Sequence, residues 1–347
     1  MARLGDGLDE LSKGFVLVRI IQMRGVDTAI FNFDFDLSWA GFFINADMTV
    51  YGRYGSRRDG GDSLFSTSGL KEAMTKALAI HKGYPANRPS LASKNIKASN
   101  LGKMPEQMPA IEVQFRNPDI PRNCIHCHHV WKGVRRSRMS DKKPIPDNLL
   151  WVYPMPDAIG ITIDVADGAK IASVAAGTPA AKAGAQAGDV ILSINGAPML
   201  SIADFQFVLH NSPDQATLKV QVQRGAECKA LSIAIAGDWR KAADFTWRTS
   251  ANDLRLGMQM ESLTDADRSA AGLRAGGLKV RNAGPKGPAG MAGFRAGDVI
   301  IALNGQPMPD KETDFLSVIR QKFLPGQKIK LTIVRGGKKQ DISMDVP

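Results

Sequence analysis

The chain has 347 residues, 44% of them apolar, and a formal net charge of +11 at pH 7. That length points to two or three domains, and the ordinary apolar fraction excludes disorder as the starting assumption. The apolar runs are short and interrupted, well below the roughly 20 residues of a membrane-spanning helix, and the opening Met1-Ala2-Arg3-Leu4-Gly5-Asp6 shows no apolar signal-peptide core.

Residues 15–21 (FVLVRII) are rich in β-branched side chains and predict a strand. Residues 31–37 (FNFDFDL) alternate apolar and acidic positions, as an edge strand does. Residues 39–44 and 49–54 predict a hairpin turning at Asn45-Ala46-Asp47-Met48, and residues 70–79 predict a helix. This order, and residues 42–56 (FFINADMTVYGRYGS) in particular, resembles the C-terminal half of thioredoxin-like domains of extracytoplasmic proteins. The resemblance covers residues 14–83 and implies a partial thioredoxin-like α/β region over residues 1–83. The sequence departs from that family in two places. No Cys-x-x-Cys precedes the first strand, and Ser38-Trp39 stands where the family carries a cis-proline. A redox-inert or truncated version of the fold is therefore expected.

Residues 84–153 predict a basic linker. Between residues 84 and 150 there are 12 Lys and Arg against 5 Asp and Glu, a balance that attracts acidic partners. No nucleic-acid motif accompanies the charge and the aromatic residues do not interleave with it, so nucleic acid is not an expected partner. Of three cysteines, Cys228 stands alone in a strand-like segment and reads as a small apolar filler. The other two lie in Cys124-Ile125-His126-Cys127-His128-His129, which contains Cys-x-x-Cys-His, the attachment signature of c-type haem. Two thiols one helical turn apart reach both haem vinyl groups, and the next histidine falls under the iron. The signature implies one covalent haem c on Cys124 and Cys127 with His128 as iron ligand. It leaves the sixth ligand open among His81, His126, His129, Met104, Met108 and Met139, with Trp131, Trp151 and Met155 as packing partners. Two alternatives stand beside it. Zinc would draw on the same thiols and imidazoles, although no second Cys or His pair lies at finger spacing. A redox or inert thiol pair is the other, although nothing nearby reads as a strand-to-helix active site.

The clearest signal is an internal repeat. Residues 178–199 (TPAAKAGAQAGDVILSINGAPM) and 287–308 (GPAGMAGFRAGDVIIALNGQPM) align without a gap and share 13 of 22 positions. Each copy predicts a short helix, a Gly-Asp turn, an apolar strand (190–194 and 299–303) and an Asn-Gly turn suited to positive φ. A helix carrying Ile202, Phe205, Val208 and Leu209, or Phe315, Val318 and Ile319, follows, and a hairpin (218–235 and 329–346) closes each copy. The AGxxxGDVIxxxNG pattern resembles the PDZ domains of bacterial periplasmic proteases. The resemblance covers residues 154–237 and 252–347, giving a first PDZ domain over 154–237 and a second over 238–347. It implies binding of an extended peptide as an added strand, with the peptide carboxylate capped by a Φ-Gly-Φ loop. The matching residues are Ile159-Gly160-Ile161 with Thr162, and Leu256-Gly257-Met258 with Gln259. Phe205 and Leu209, or Phe315 and Ile319, would form the opposite wall. An insertion at residues 261–278 is expected to cover part of the second groove. No Gly-x-Ser-Gly-Gly segment precedes the repeats; Ser66-Thr67-Ser68-Gly69 runs straight into a helix, so no serine protease is expected in this chain.

The sequence therefore reads as a multidomain α+β protein of the periplasm or another extracytoplasmic space, its signal peptide lost or its start misassigned. It would comprise a partial thioredoxin-like region, a haem segment and two PDZ domains, each a small β-barrel or sandwich with helices. The expected function is a haem-carrying protein that docks partners through its grooves and transfers electrons, with an acidic redox partner or a larger complex. The alternatives are a haem-free adaptor presenting peptides to a separate protease, and a thiol oxidoreductase whose cysteines lie in a missing N-terminal segment. No catalytic residue is assigned.

Overall fold

The structure, a computed structural model, describes residues 8–95, 104–112 and 124–347. The chain forms two compact units, residues 1–131 with 151–243 and residues 132–150 with 244–347. Much of the expected basic linker falls at residues 96–103 and 113–123, outside the described residues.

The first unit begins with α1 (Leu8–Ser12) and an antiparallel hairpin of β1 (Gly41–Ile44) and β2 (Val50–Tyr54). The hairpin turn is held by Asn45, whose Oδ1 accepts from the Thr49 N–H at 2.9 Å. Helix α2 (Thr67–Lys82) starts where Ser66 caps it, accepting from the Gly69 N–H. It buries Ala73, Met74 and Ala77 against Phe43, Tyr51 and Tyr54, forming a small core of its own. Short helices α3 (Arg88–Leu91) and α4 (Pro109–Glu112) follow.

Two expected strands are absent. Residues 15–21 form no ladder, and Val16, Leu17, Val18, Ile20 and Ile21 are exposed. A β-branched run becomes a strand only when a neighbour offers a pleated surface to pair with. Residues 31–37 are a buried turn: Asp34 accepts the Leu37 N–H on its carbonyl at 3.0 Å and the Asp36 N–H on its side chain at 3.2 Å. The apolar–acidic alternation there reflects turn chemistry.

Helix α5 (Cys127–Ser140) carries the chain out of the first unit after Trp131, and α6 (Asp147–Leu150) precedes its return. The first repeat then forms β3 (Ile161–Ile163), β4 (Ile171–Val174), α7 (Pro179–Lys182), β5 (Val190–Ile194), β6 (Ala197–Pro198), α8 (Ile202–Asn211), β7 (Ala216–Arg224) and β8 (Glu227–Ile235). Strand β3 pairs with β4, and the other four form a sheet in the order β6-β5-β7-β8. Ile161, Ile191, Ile194, Phe205, Leu209, Leu218 and Ile233 fill the space between sheet and helix. Cys228 corrects one expectation: it is exposed on β8, its thiol directed to the Gln223 side chain, and fills no core.

The second unit repeats this plan with β9 (Met258–Ser262), α9 (Asp265–Ala270), β10 (Leu278–Ala283), α10 (Pro288–Met291), β11 (Val299–Leu303), β12 (Gln306–Pro307), α11 (Glu312–Lys322), β13 (Lys328–Arg335) and β14 (Lys338–Asp345). Its sheet runs β14-β13-β11-β10-β9, with β12 on β11. The insertion at 261–278 contributes α9, capped reciprocally by Thr264 and Asp267.

One device recurs in both copies. The aspartate of the Gly-Asp turn caps the loop before it and takes a two-pronged bond from an arginine ending the long hairpin strand. Asp189 accepts from the Gln186 N–H and from Arg224 at 2.6 and 2.7 Å. Asp298 accepts from the Arg295 N–H and from Arg335 at 2.6 Å twice. Bonding to Arg224 holds the Asp189 carboxyl below its ordinary value.

Candidate functional site

The second groove has the simpler surroundings. Gly257 sits at φ +83, and a Cβ there would lie 2.7 Å from Pro288 Cδ, so only glycine fits. The loop is tied to the start of α10, because the Leu256 carbonyl accepts from the Ala289 N–H at 3.1 Å. Met258 and Met260 point into the core, while Gln259 lies half-buried and takes a bond from Arg281 at 2.8 Å. Strand β9 ends the sheet, pairing with β10 alone. Beyond it α11 buries Phe315 and Ile319 completely and leaves Val318 half-exposed. The geometry offers a free strand edge facing an apolar helix, which is what strand addition requires.

Sequence reasoning missed Arg320. Its guanidinium is buried in α11 and donates to the carbonyls of Leu254 at 2.9 Å and Pro347 at 2.8 Å. It thereby anchors the helix to the chain entering the Gly257 loop. Burial pushes it down to about 10. Nothing in the local sequence marks this role, since an arginine near a helix C-terminus is ordinary surface chemistry.

The first groove has the same loop. Gly160 lies at φ +93, and a Cβ would stand 2.0 Å from Thr178 Oγ1. The Gly160 carbonyl accepts from the Ala175 N–H at 2.9 Å. Ile159, Ile161, Phe205 and Leu209 are buried and Thr162 is exposed. Helix α8 differs from its counterpart. Asp204 in Asp204-Phe205 is 1% exposed, whereas Asp314 in the matching Asp314-Phe315 of α11 is exposed.

The Cys-x-x-Cys-His segment lies at the start of α5. Cys124 is exposed and Cys127 half-buried, both as free thiols. Burial raises the Cys127 thiol above its ordinary value. The His128 ring meets His129 at 4.4 Å between centroids and lies parallel to His126 at 5.8 Å. The imidazoles crowd one another, and among the described residues no three His, Cys, Asp or Glu side chains converge as metal ligands. Of the sixth-ligand candidates, His81 donates to or accepts from Tyr51 at 2.8 Å and Met108 is buried.

Residues 170–224 and 255–346 each match the PDZ domain family. The chain carries two tandem PDZ domains within a mixed α+β architecture, and its relatives are HtrA-type proteins. It is 31% identical over 176 residues to a probable periplasmic serine endoprotease DegP-like of Pseudomonas fulva, covering 49% of this chain and 36% of that one. It is 36% identical over 180 residues to the protein of the same description from Hahella chejuensis, again covering 49% and 36%. The chain thus spans about a third of the length of these curated relatives. Among solved structures it is similar to the HtrA3 PDZ domain bound to a phage-derived ligand (FGRWV), at 23% identity and TM-score 0.22, covering 26% of this chain and 82% of that one. It is also similar to the HtrA-type protease AlgW with decapeptide, at 19% identity and TM-score 0.24, covering 37% and 40%.

These findings correct the cofactor reading. The relatives are DegP-like endoproteases, a family without haem, and the donor set at residues 124–129 does not converge. Haem c on Cys124, Cys127 and His128, the zinc alternative, electron transfer and an acidic redox partner are therefore withdrawn. A five-residue signature is met by chance far more readily than a 22-residue repeat. Among the described residues no helix is long and apolar enough to cross a membrane.

Proposed function

We propose that this chain is a periplasmic peptide-binding adaptor: its second PDZ groove captures the free C-terminus or an extended segment of a partner protein and presents it to a separate protease. The observation that carries this is the unpaired edge of β9 beside α11, opening on the Gly257 loop. A peptide adding to β9 gains main-chain hydrogen bonds along the strand, and the loop N–H groups receive its carboxylate. Leu256, Gly257, Met258 and Gln259 would hold the peptide backbone, with Phe315 and Ile319 under its apolar side chains. The periplasmic placement follows that of the relatives. Their description as serine endoproteases belongs to longer chains, of which this one matches the PDZ part. The hairpin β1–β2 followed by α2 supports reading the N-terminal region as a partial thioredoxin-like fold that frames the first PDZ domain.

The test is selection of a displayed library of random peptides with free C-termini on the immobilised full chain. Enriched sequences should share an apolar last residue. Recovery of no sequence above background would remove the proposal.

A further inference from the structure

The two grooves are not equivalent. In the first unit, the end of β2 crosses the start of α8. Ser201 Oγ donates to the Arg53 carbonyl at 2.6 Å, and the Arg53 N–H donates to Asp204 Oδ1 at 3.2 Å. Beneath this crossing lies a fully buried ion cluster, with Asp204 2.9 Å from Lys94 Nζ and 3.7 Å from Arg53 Nη1. The Arg53 guanidinium also covers the Phe207 ring at 3.6 Å.

Beyond the crossing the same segment touches the helix again and then the turn before the Gly160 loop. Ser56 Oγ donates to Gln206 Oε1 at 2.7 Å, just over one turn into the helix wall. Arg58 pairs at 2.6 Å with Asp157, in the turn that leads into the Gly160 loop. After a tight turn at Asp59-Gly60, Leu64 packs against the apolar core of the first PDZ domain. Tyr54, Ser56 and Leu64 on one side and Val165, Gly168 and Ile202 on the other line a small, partly open space of about 10 Å³, room for about one water molecule. From the strand side α2 closes in. A Cβ on Gly69 would meet the Val165 carbonyl at 2.4 Å, and Lys76 pairs with Asp167 at 2.6 Å.

We infer that the first PDZ groove is occupied by the chain's own residues 53–64, with Leu64 and Ser56 standing where a ligand's side chains would lie, so that peptide capture falls to the second groove alone. The internal duplication supplies the control. The same helix position is a buried ion-paired aspartate in α8 and an exposed aspartate in α11, where the preceding chain of the second unit reaches the neighbouring positions instead, Asp244 bonding Thr313 and Arg255 pairing with Glu312. The contacts differ in strength along the segment. The Asp204 cluster is dry, whereas the Arg58–Asp157 pair is 40% and 44% exposed and is worth little by itself. Residues 57–64 are thus the part of the segment that can lift while the crossing at Arg53 holds.

The division of labour between the grooves rests on the proposed peptide-binding function, but its test contains no peptide, so the two fail separately. Hydrogen–deuterium exchange is followed in the full chain at residues 157–165 and 202–209, and at the corresponding residues 254–262 and 312–319. In the wild type the first pair of segments should exchange at least tenfold more slowly than the second. The double variant Arg58→Ala/Leu64→Ser should speed exchange at 157–165 about tenfold while β7 and β8 stay protected. Arg58→Ala alone, at an exposed position that cannot unfold the core, should move it in the same direction by a smaller factor. Equal exchange in the two wild-type grooves, or no change at 157–165 in either variant, would overturn the inference.

Discussion

Replacing Asp204 by Asn tests whether the N-terminal region and the first PDZ domain fold as one body. The carboxylate is buried between Lys94 and Arg53 and accepts two backbone N–H bonds, from Arg53 at 3.2 Å and Leu200 at 3.1 Å. Asparagine keeps the shape and one acceptor oxygen, so the substitution removes mainly the charge. It leaves two buried cations without a counter-ion. Breaking a buried pair in this way costs about 3–5 kcal/mol, a large fraction of the ~5–15 kcal/mol that holds a domain together. Urea unfolding followed by tryptophan fluorescence reads it, since Trp39, Trp131, Trp151 and Trp239 all lie in the first unit. The transition of that unit should move to lower urea while that of the second unit stays in place. Adding Lys94→Met to Asp204→Asn should restore at least about 1 kcal/mol, because one uncompensated charge disappears. A loss below about 1 kcal/mol for Asp204→Asn, on the scale of an exposed pair, would refute the buried cluster and with it the docking of β2 on α8.

Lys94 gives a pH test of the same cluster. Burial pushes its ammonium down to about 8 from 10.5. Between those values the unfolded chain binds more protons than the folded one, so stability should rise with pH across that window, by up to about 3 kcal/mol at ~1.4 kcal/mol per pH unit. Lys94→Met should abolish the rise; a flat wild-type profile from pH 8 to 10.5 would contradict it. Asp189 works in the opposite direction: its carboxyl is held low, so the stability it contributes is present above the ordinary carboxylate range and lost as pH falls through the folded value. Arg224→Ala should flatten that acid limb in the first unit only, a difference visible in acid titration followed by circular dichroism. Gly69→Ala should cost about 1–3 kcal/mol by overpacking against the Val165 carbonyl, read as a lower thermal midpoint; an unchanged midpoint would mean that α2 does not rest on the first PDZ domain.

The repeat was legible because its residues act locally. Gly160 and Gly257 are fixed by φ and by a nearby side chain, the Asn-Gly turns by positive φ at Asn195 and Asn304, and the helices by apolar spacing. The hairpin at residues 41–54 and helix α2 were equally local and are present. What failed depended on partners distant in sequence. Residues 15–21 have strand composition but no strand beside them, and Phe33 and Phe35 are buried by a turn rather than by a sheet. The overlay on α8 left no trace in the pattern, since Arg53, Lys94 and Asp204 come from three separate stretches and each reads as an ordinary surface charge. The Cys-x-x-Cys-His segment misled for the converse reason: a short motif carries its chemistry only when the surrounding fold brings ligands to a common point, and here the histidines face one another.

The most direct measurement is the affinity of one selected peptide, as free acid and as C-terminal amide, for the full chain and for Gly257→Val, by isothermal titration calorimetry. The account predicts one equivalent bound with a micromolar Kd, at least tenfold weaker binding of the amide, and no detectable binding to Gly257→Val. Equal affinity for acid and amide, or binding that survives Gly257→Val, would contradict it.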